Sequence, residues 1–582
     1  MRRPGRPPLV TVSATHLSAT KDKVELWFGP SSDFALLQLL YRHLYLSWDD
    51  QSVPDVRVED GNDGLDTFDF RLVFFGNAAA PEPASMDQRP YSDPFLFMPY
   101  ELAQDMLDRY LASYYNSAPF VTQEAYHNQL RELYQSPFAH SYNDTDTQLL
   151  LLAIAIASLS TNHWQWAEVI AERVKRSQHD VHTIYEKEHG RPNAAYLTIG
   201  AATRKALAMG LHREKKVTHI SAEDLEERRI TLWTLCFHET WMSFYGGRPI
   251  LIANLECEVP SPNNTWVLKL KRLTKVMMDL AATVYATKPP SLPECWKAAS
   301  SAAKELQTTV RTAYVEMGIN PDDAMEVHGL GYKGAFLHIV SSHITMIAFR
   351  PFVLVRSSIN RTIRKFRVSA SPSQSGGIEG TSSEANPSIP AWLDEACERC
   401  TQAAQSIISF FHGTLALKSA YKELRYSVFF IGHAAFLLLF DSLQDPNMEA
   451  VHLSYVTSAL EFLDNMGGGD PANIAANAVR HILGRMQQAA DGHQGVVATD
   501  RPRTRRSTAE ASQTHPASQS VAVEQSAANS DFMPSTEAEG NLSWLNFDDV
   551  SWEVDLTQFD PLAMDFSFLE TTDGSTDSSQ HK

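Results

Sequence analysis

A chain of 582 residues and 65.0 kDa, 43% of it hydrophobic, carries enough apolar surface for a large core or for more than one folded unit with linkers. Its formal charge of −19 excludes a protein that grips nucleic-acid phosphates over its whole surface, because such binding needs a basic face. The acidity is local: residues 531–582 hold twelve Asp or Glu and one Lys, which is −11 of the −19.

Five cysteines, Cys236, Cys257, Cys295, Cys397 and Cys400, are too few and too odd in number for a disulfide framework, so reduced thiols and a reducing compartment are expected. The opening MRRPGRPPLVTVSATHLSAT has basic residues with no apolar run behind them and does not read as a secretory signal. The most apolar runs, LLLLAIAIASL (149–159) and YSVFFIGHAAFLLLF (426–440), fall short of the roughly 20 residues that a membrane span needs. Both read as core helices, and no membrane partner is expected.

In chain order, residues 1–24 are expected to form a flexible basic arm. Apolar spacing then predicts helices over 33–47, 97–115, 123–134, 146–160, 164–189, 193–211, 221–245, 266–287, 293–317 and 333–350. The segment DTFDFRLVFFG (66–76) alternates with period two and reads as a strand or extended arm. Residues 369–390, rich in Ser, Gly and Pro, read as a disordered loop that interrupts a helical domain spanning 25–368. Further helices over 390–416, 418–442, 447–465 and 471–489 place 391–490 as C-terminal helices packing on the same domain. Residues 491–530 contain no Leu, Ile, Phe, Tyr or Trp, cannot offset chain entropy by burial, and read as a disordered linker. Its cluster Arg501, Arg503, Arg505 and Arg506 fits both a nuclear import signal and a solvated charge run. The fold class is all-α: a multi-helical regulatory domain, a disordered linker and an acidic C-terminal tail over 531–582.

The stretch SAEDLEERRITLWTLCFHETWMSFYGGRPI (221–250) opens on a capping-box spacing, Ser221 to Asp224. From there Ile230, Trp233, Phe237, Trp241 and Phe244 recur at helical steps, which puts five large side chains on one face and predicts that all five are core. Gly246 and Gly247 release the helix and Pro249 forbids its continuation. On this reading Trp233 is structural, and its loss costs roughly 3–5 kcal/mol.

YLTIGAATRKALAMGLHRE (196–214), EERRITLWTLCFHETWMSFYGGRPI (226–250) and ECEVP (256–260) together resemble the regulatory middle-homology domain of fungal zinc-cluster transcription factors, of the xylanolytic-activator type. The residues that carry the resemblance are Gly210, Leu211, His212 and Arg213; Glu226, Arg228, Arg229 and Trp233; Gly247, Arg248 and Pro249; and Glu256, Glu258 and Pro260. WFGPSSDFALLQLL (27–40) resembles the Gly-x-Ser-Ser segment that precedes this domain, and ITMIAFRPFV (344–353) its late Arg-Pro-Phe helix end. The resemblance covers about residues 25–360. It implies a helical scaffold that regulates a transcription factor in the nucleus, and it implies no catalytic residue.

The six-cysteine binuclear zinc cluster of that family has no counterpart here, since the chain holds five cysteines and the first is Cys236. Either an upstream segment supplies the cluster or the chain works without one. No cofactor is therefore expected in this chain, and DNA contact is expected only indirectly or through such a segment.

Cys397 and Cys400 followed by His412 offer three zinc-finger ligands without a fourth at finger spacing, and read as buried or idle thiols. Gly329-Leu-Gly331-Tyr-Lys-Gly334 fits a dinucleotide fingerprint but lacks the strand before it. The run Arg356, Arg361, Arg364, Lys365 and Arg367 reads as a solvated helix end, or as a contact for DNA phosphates or an import receptor. In the tail, Trp544, Phe547, Trp552, Phe559, Phe566 and Phe568 are scattered among carboxylates, a pattern that suits an activation segment whose rings enter a coactivator groove. The expected function is that of a non-enzymatic nuclear regulator of transcription, an activator that partners a coactivator, with homo- or heterodimerisation left open. The alternative is a partner-dependent scaffold or a small-molecule sensor without DNA binding of its own.

Overall fold

A computed structural model describes residues 12–18, 22–40 apart from 34 and 38, 98–119, 121–136, 144–174, 180–214, 220–286, 290–320, 330–369, 389–416, 424–444, 448–466 and 470–497. The predicted strand at 66–76, the basic cluster at 501–506 and the acidic-aromatic tail lie outside these residues. Helices dominate the described residues, in keeping with the all-α expectation. One antiparallel hairpin precedes them, β1 (Val12–Ser18) with β2 (Asp22–Phe28), paired from Val12–Phe28 to Ser18–Asp22. This corrects the expectation of a flexible arm for residues 12–18 and 22–24, the rest of 1–24 lying outside the described residues: Val24, Leu26 and Phe28 alternate along β2 with the period of a strand.

Polar side chains open the helices by accepting from backbone N–H groups that have no partner within the helix. Thr122 caps α2 (Gln123–Gln135) at Ala125, Asp144 caps α3 (Thr145–Leu159) at Thr147, and Asn264 caps α8 (Thr265–Thr283) at Trp266 and Val267. Ser291 and Glu294 form a reciprocal capping box at α9 (Leu292–Glu316). Between these lie α1 (Tyr100–Ala112), α4 (Trp164–Val174), α5 (Asp180–Glu188), α6 (Pro192–Ala208) and α7 (Ala222–Gly246). The chain continues through α10 (Tyr332–Ser369), α11 (Ala391–Gly413), α12 (Ser427–Gln444), α13 (Glu449–Asp464) and α14 (Asp470–Val497).

Two helices without a polar face organise two cores. Helix α3 is buried all round and centres a cluster built from α1, α2, α4 and α5. Helix α12 is likewise enclosed and centres the larger cluster with α7, α8, α9, α10, α11, α13 and α14. At 18 residues α12 is apolar and long enough to cross a bilayer, as is Tyr332–Ser357 of α10, yet 94% and 72% of these stretches are buried against the rest of the protein. Helices apolar on every side serve here as the centres of cores.

Several boundaries depart from the sequence reading. The helix expected over 164–189 is two helices, α4 and α5. Helix α14 continues through Val497, into the stretch expected to be linker. The largest difference is α10, expected to end at 350, which runs on through Pro351 to Ser369.

Proline lacks an N–H and so orphans the carbonyl four residues earlier, which normally ends or kinks a helix. Here that carbonyl belongs to Ile347, and the Tyr285 hydroxyl donates to it at 2.7 Å. The partner comes from α8's end, a distant segment, so residue spacing alone gave no sign of it. Tyr285→Phe therefore leaves a carbonyl without a partner inside the helix and is expected to cost about 1–3 kcal/mol in urea unfolding. A variant that unfolds at the parent's midpoint would show that the proline is tolerated by other means.

Candidate functional site: a buried polar node that joins the sequence motifs

Helix α7 begins as its sequence dictates, with the Ser221 hydroxyl accepting from the Asp224 N–H at 3.0 Å. It ends at Gly247, whose φ of +64° is left-handed, while the Arg248 N–H returns to the Ser243 carbonyl at 2.8 Å. That is a glycine-capped helix end. A Cβ on Gly247 would also stand 2.6 Å from the N, Cα and C atoms of Gly29.

The loop Gly29–Asp33 docks against this helix end. The Gly29 N–H donates to the Gly246 carbonyl at 3.4 Å and the Ser31 hydroxyl to the Phe244 carbonyl at 2.7 Å. This docking carries Asp33 into the core, where it is 4% exposed. The Tyr245 hydroxyl donates to Asp33 Oδ2 at 2.5 Å, and Oδ1 faces both the Arg350 guanidinium at 3.7 Å and His433 Nε2. Arg350, 1% exposed, also donates to the Pro30 carbonyl at 2.8 Å. His433 Nδ1 meets His343 Nε2 at 2.8 Å, and the two imidazoles stack at 5.1 Å between ring centroids.

Three stretches that carry the family resemblance thus converge on one node: Asp33 from the Gly-x-Ser-Ser segment, Tyr245 and Gly247 from the Gly-Arg-Pro helix end, and Arg350 from Arg-Pro-Phe. A carboxylate only accepts, so the nitrogen of His433 that faces it carries the proton, and His433 Nδ1 accepts from His343. Burial holds both imidazoles neutral: it takes His343, with help from Arg350, down to about 3, and takes His433 well below its usual value. Burial also raises the Tyr245 hydroxyl well above the ordinary phenol range. With every member enclosed, the node has no face open to a substrate. What it can do is fix the register of four chain segments.

A second buried group sits beside it. Lys187 Nζ lies 4.5 Å from the Tyr426 ring centroid and 5.4 Å from that of Trp241, and 3.7 Å from Glu188 Oε1. Glu188 Oε2 accepts from the Tyr114 hydroxyl and the Tyr426 N–H, each at 3.0 Å, and so ties the first core to the second. Burial lowers Lys187 and raises Glu188, which moves both toward their neutral forms. The adjoining cavity is about 40 Å3, room for a water or two and too small for a metabolite.

The other sequence-predicted residues are structural neighbours of these groups. Gly210, with φ of +73°, ends α6, and the carbonyl of His212 accepts from the Glu258 N–H. Leu211 is half-buried and Arg213 exposed. Glu226 accepts from the Asn264 N–H at 3.2 Å, Arg229 clasps Glu214 with Nε at 2.8 Å from Oε2, and Arg228 is half-buried. The Arg248 guanidinium lies between the rings of Tyr196 and Phe28, at 4.5 and 4.8 Å, and Pro249 is exposed.

Trp233 requires a correction. Phe237, Trp241 and Phe244 are buried as expected, but Ile230 and Trp233 are half-buried. Beside the first half of α7 the ring is only half covered: the Trp233 indole donates to the Pro260 carbonyl at 3.2 Å and Lys271 of α8 caps its ring at 3.8 Å. The full cavity cost expected of a buried ring belongs to Trp241 instead.

Cys397 and Cys400 are fully enclosed, and burial pushes the Cys397 thiol up to about 12 and Cys400 well above the ordinary range. Cys400 Sγ donates to the Met346 carbonyl, and His412 pairs with Glu461 at 3.0 Å. Of the basic run, Arg356 turns inward to Asp441 at 2.6 Å. Gly334 lies in the first turn of α10, and Gly329 falls outside the described residues. Sequence reasoning missed His343, His433, Glu188 and Lys187 as members of buried polar groups. A histidine in the middle of YSVFFIGHAAFLLLF was the available signal.

Two expectations follow. Gly247→Ala combines a left-handed backbone with a backbone collision and should cost roughly 2–4 kcal/mol. Gly210→Ala, where a Cβ meets nothing within 4 Å, should cost about 1 kcal/mol. Equal midpoints for the two variants would remove the Gly29 contact from the account.

The second concerns pH. Burial lowers His238 and His343 to about 3 and His189 to about 4, so the folded state refuses protons that the unfolded chain takes up below about pH 6.5. Stability then falls as pH drops from about 6.5 toward 4, by up to about 1.4 kcal/mol per pH unit for each group. Glu188 and Glu239, which burial raises, oppose this, but the three histidines outnumber them, and His433 adds a fourth. Urea midpoints at pH 7.5 and 5.5 measure it, and equal midpoints would contradict it.

The fold and the node define an all-α scaffold held by buried polar clamps. Residues 182–270, which run from α5 into α8, match the fungal specific transcription factor domain. Over 89 residues the chain is 36% identical to an uncharacterised transcriptional regulatory protein of Schizosaccharomyces pombe, covering 15% of this chain and 11% of the relative. Over 88 residues it is 31% identical to the lactose regulatory protein LAC9 of Kluyveromyces lactis, covering 15% of this chain and 10% of LAC9. A second uncharacterised S. pombe transcriptional regulatory protein is 31% identical over 68 residues, 12% of this chain and 9% of the relative. The matched stretch thus spans about a tenth of each relative's length. No solved structure matches. The matched domain is a transcription factor domain and does not belong to an enzyme family.

Proposed function

We propose that this chain regulates transcription in the nucleus, with residues 25–490 as the regulatory scaffold and 531–582 as the segment that recruits a coactivator. The observation that carries the reading is the match of residues 182–270 to the fungal specific transcription factor domain. The sequence of the tail supports activation, because carboxylates keep its rings solvated until an apolar groove takes them. Arg501, Arg503, Arg505 and Arg506 are assigned to nuclear import.

No binuclear zinc cluster can be assembled from five cysteines, of which Cys236, Cys295, Cys397 and Cys400 are buried in the scaffold. DNA contact is therefore assigned to a further segment or to a partner factor. Fusing all 582 residues to an unrelated DNA-binding domain tests the reading with a reporter in a fungal nucleus. Activation supports it, whereas an inert fusion that is expressed and nuclear removes the activator function.

A further inference from the structure

After the Gly-Arg-Pro turn the chain passes back along α7 before α8 begins. The Leu251 N–H donates to Glu239 Oε1 at 2.8 Å, the Trp233 indole to the Pro260 carbonyl at 3.2 Å, and the Asn264 N–H to Glu226 Oε1 at 3.2 Å. Rising numbers on the segment meet falling numbers on the helix, so the two run antiparallel. Cys257 lies between the ties at Leu251 and Pro260, and thus at the level of α7 between Glu239 and Trp233. Cys236 stands at that level. Trp233, Cys236 and Glu239 follow one another at helical steps of three, which places Cys236 on the part of the helix surface that the segment crosses.

The segment is extended here and its side chains alternate. Leu255, Cys257 and Val259 are buried or half-buried, whereas Glu256, Glu258 and Pro260 are exposed. Cys257 therefore points toward α7, and it packs against the small cluster of Leu232, Cys236, Ile252 and Val259. One cation attends both sulfurs. Lys271 of α8, whose Nζ lies 3.8 Å from the Trp233 ring centroid and 2.8 Å from Ser261 Oγ, is within electrostatic reach of both thiols.

The five cysteines differ in what can reach them. Cys236, Cys295, Cys397 and Cys400 are buried, and Cys257 is half-buried. Burial raises the thiols of Cys295, Cys397 and Cys400, which keeps them protonated and unreactive. Cys257 joins partial exposure to a neighbouring cation and a second thiol, the surroundings of redox-sensing cysteines in reducing compartments.

We propose that Cys257 is a peroxide-reactive thiol and that Cys236 resolves it as a reversible disulfide. The Cys257 thiolate attacks one oxygen of hydrogen peroxide, the O–O bond breaks, and the departing hydroxide takes up a proton as water, leaving a sulfenic acid. The Cys236 sulfur then attacks the sulfenic sulfur, the S–O bond breaks, and the hydroxide leaves with the Cys236 proton as a second water. The disulfide staples α7 to the segment that leads into α8. The proposal goes beyond the transcriptional reading and is tested on the chain alone, so its failure leaves that reading in place.

The full chain is reduced, freed of reductant and treated with hydrogen peroxide, and its thiols are counted and then mapped by peptide mass spectrometry. The expected result is loss of two of the five thiols, a Cys236–Cys257 crosslink within one chain, and return of both thiols with dithiothreitol. Cys257 should react about tenfold or more faster than Cys295, Cys397 or Cys400. In Cys236→Ala the sulfenic acid on Cys257 has no thiol to resolve it and should accumulate as an adduct with dimedone, and Cys257→Ser should leave Cys236 reduced. Mapping of the unaltered chain decides the matter even where a variant fails to fold. Four results overturn the proposal: no loss of thiol, oxidation of another cysteine ahead of Cys257, a Cys257 sulfenic acid that persists beside reduced Cys236, or Cys257 crosslinked only between two chains.

Discussion

Arg350→Met should destabilise the domain by about 3–5 kcal/mol, because it leaves the Asp33 carboxylate buried without its cation. The substitution keeps most of the side-chain volume, so the loss reports the missing charge and the lost donor to the Pro30 carbonyl. Asp33→Asn, which removes the charge but keeps an oxygen for the Tyr245 hydroxyl, should cost less. The double variant Asp33→Asn with Arg350→Met should be more stable than the sum of the two losses implies, by about 0.5–3 kcal/mol, since neither charge is then stranded. Urea unfolding of the four proteins closes the cycle. Additive losses would mean that the two residues act separately and that the node is not one unit.

The aromatic residues of the tail should carry most of the activation. Replacing Trp544, Phe547, Trp552, Phe559, Phe566 and Phe568 with alanine in residues 531–582, fused to an unrelated DNA-binding domain, should abolish reporter output while the net charge stays at −11. Rings that fill an apolar groove provide the binding energy, whereas carboxylates chiefly speed encounter with a basic rim. Exchanging a few Asp for Asn should weaken output only in part. A tail equally active without its rings, or silent with them, would make the segment a solubilising element.

The central helices of both cores were readable. LLLLAIAIASL and YSVFFIGHAAFLLLF announce enclosed helices, since nothing polar enough to face water interrupts them for long. Ser221 and Gly247 mark α7's ends through backbone chemistry that acts within a few residues. The hairpin of Val12–Ser18 with Asp22–Phe28 was missed because its alternation is short. Trp233 was misplaced because helical periodicity defines a face without saying what covers each turn of it.

The sequence by itself determined the helical class, the caps, the concentration of acidity in the tail, and the motif residues within the stretch 182–270 that matches the fungal specific transcription factor domain. These follow from local rules of propensity, capping and composition. Only the tertiary structure decided that Asp33, Tyr245, His343, Arg350 and His433 share one buried node, and that Tyr285 answers the carbonyl orphaned by Pro351. It also decided that Cys236 of α7 and Cys257 meet at one small apolar cluster. Such contacts join residues tens to hundreds of positions apart, and no periodicity reports them, because a side chain's partner is fixed by how the helices pack and not by its neighbours along the chain.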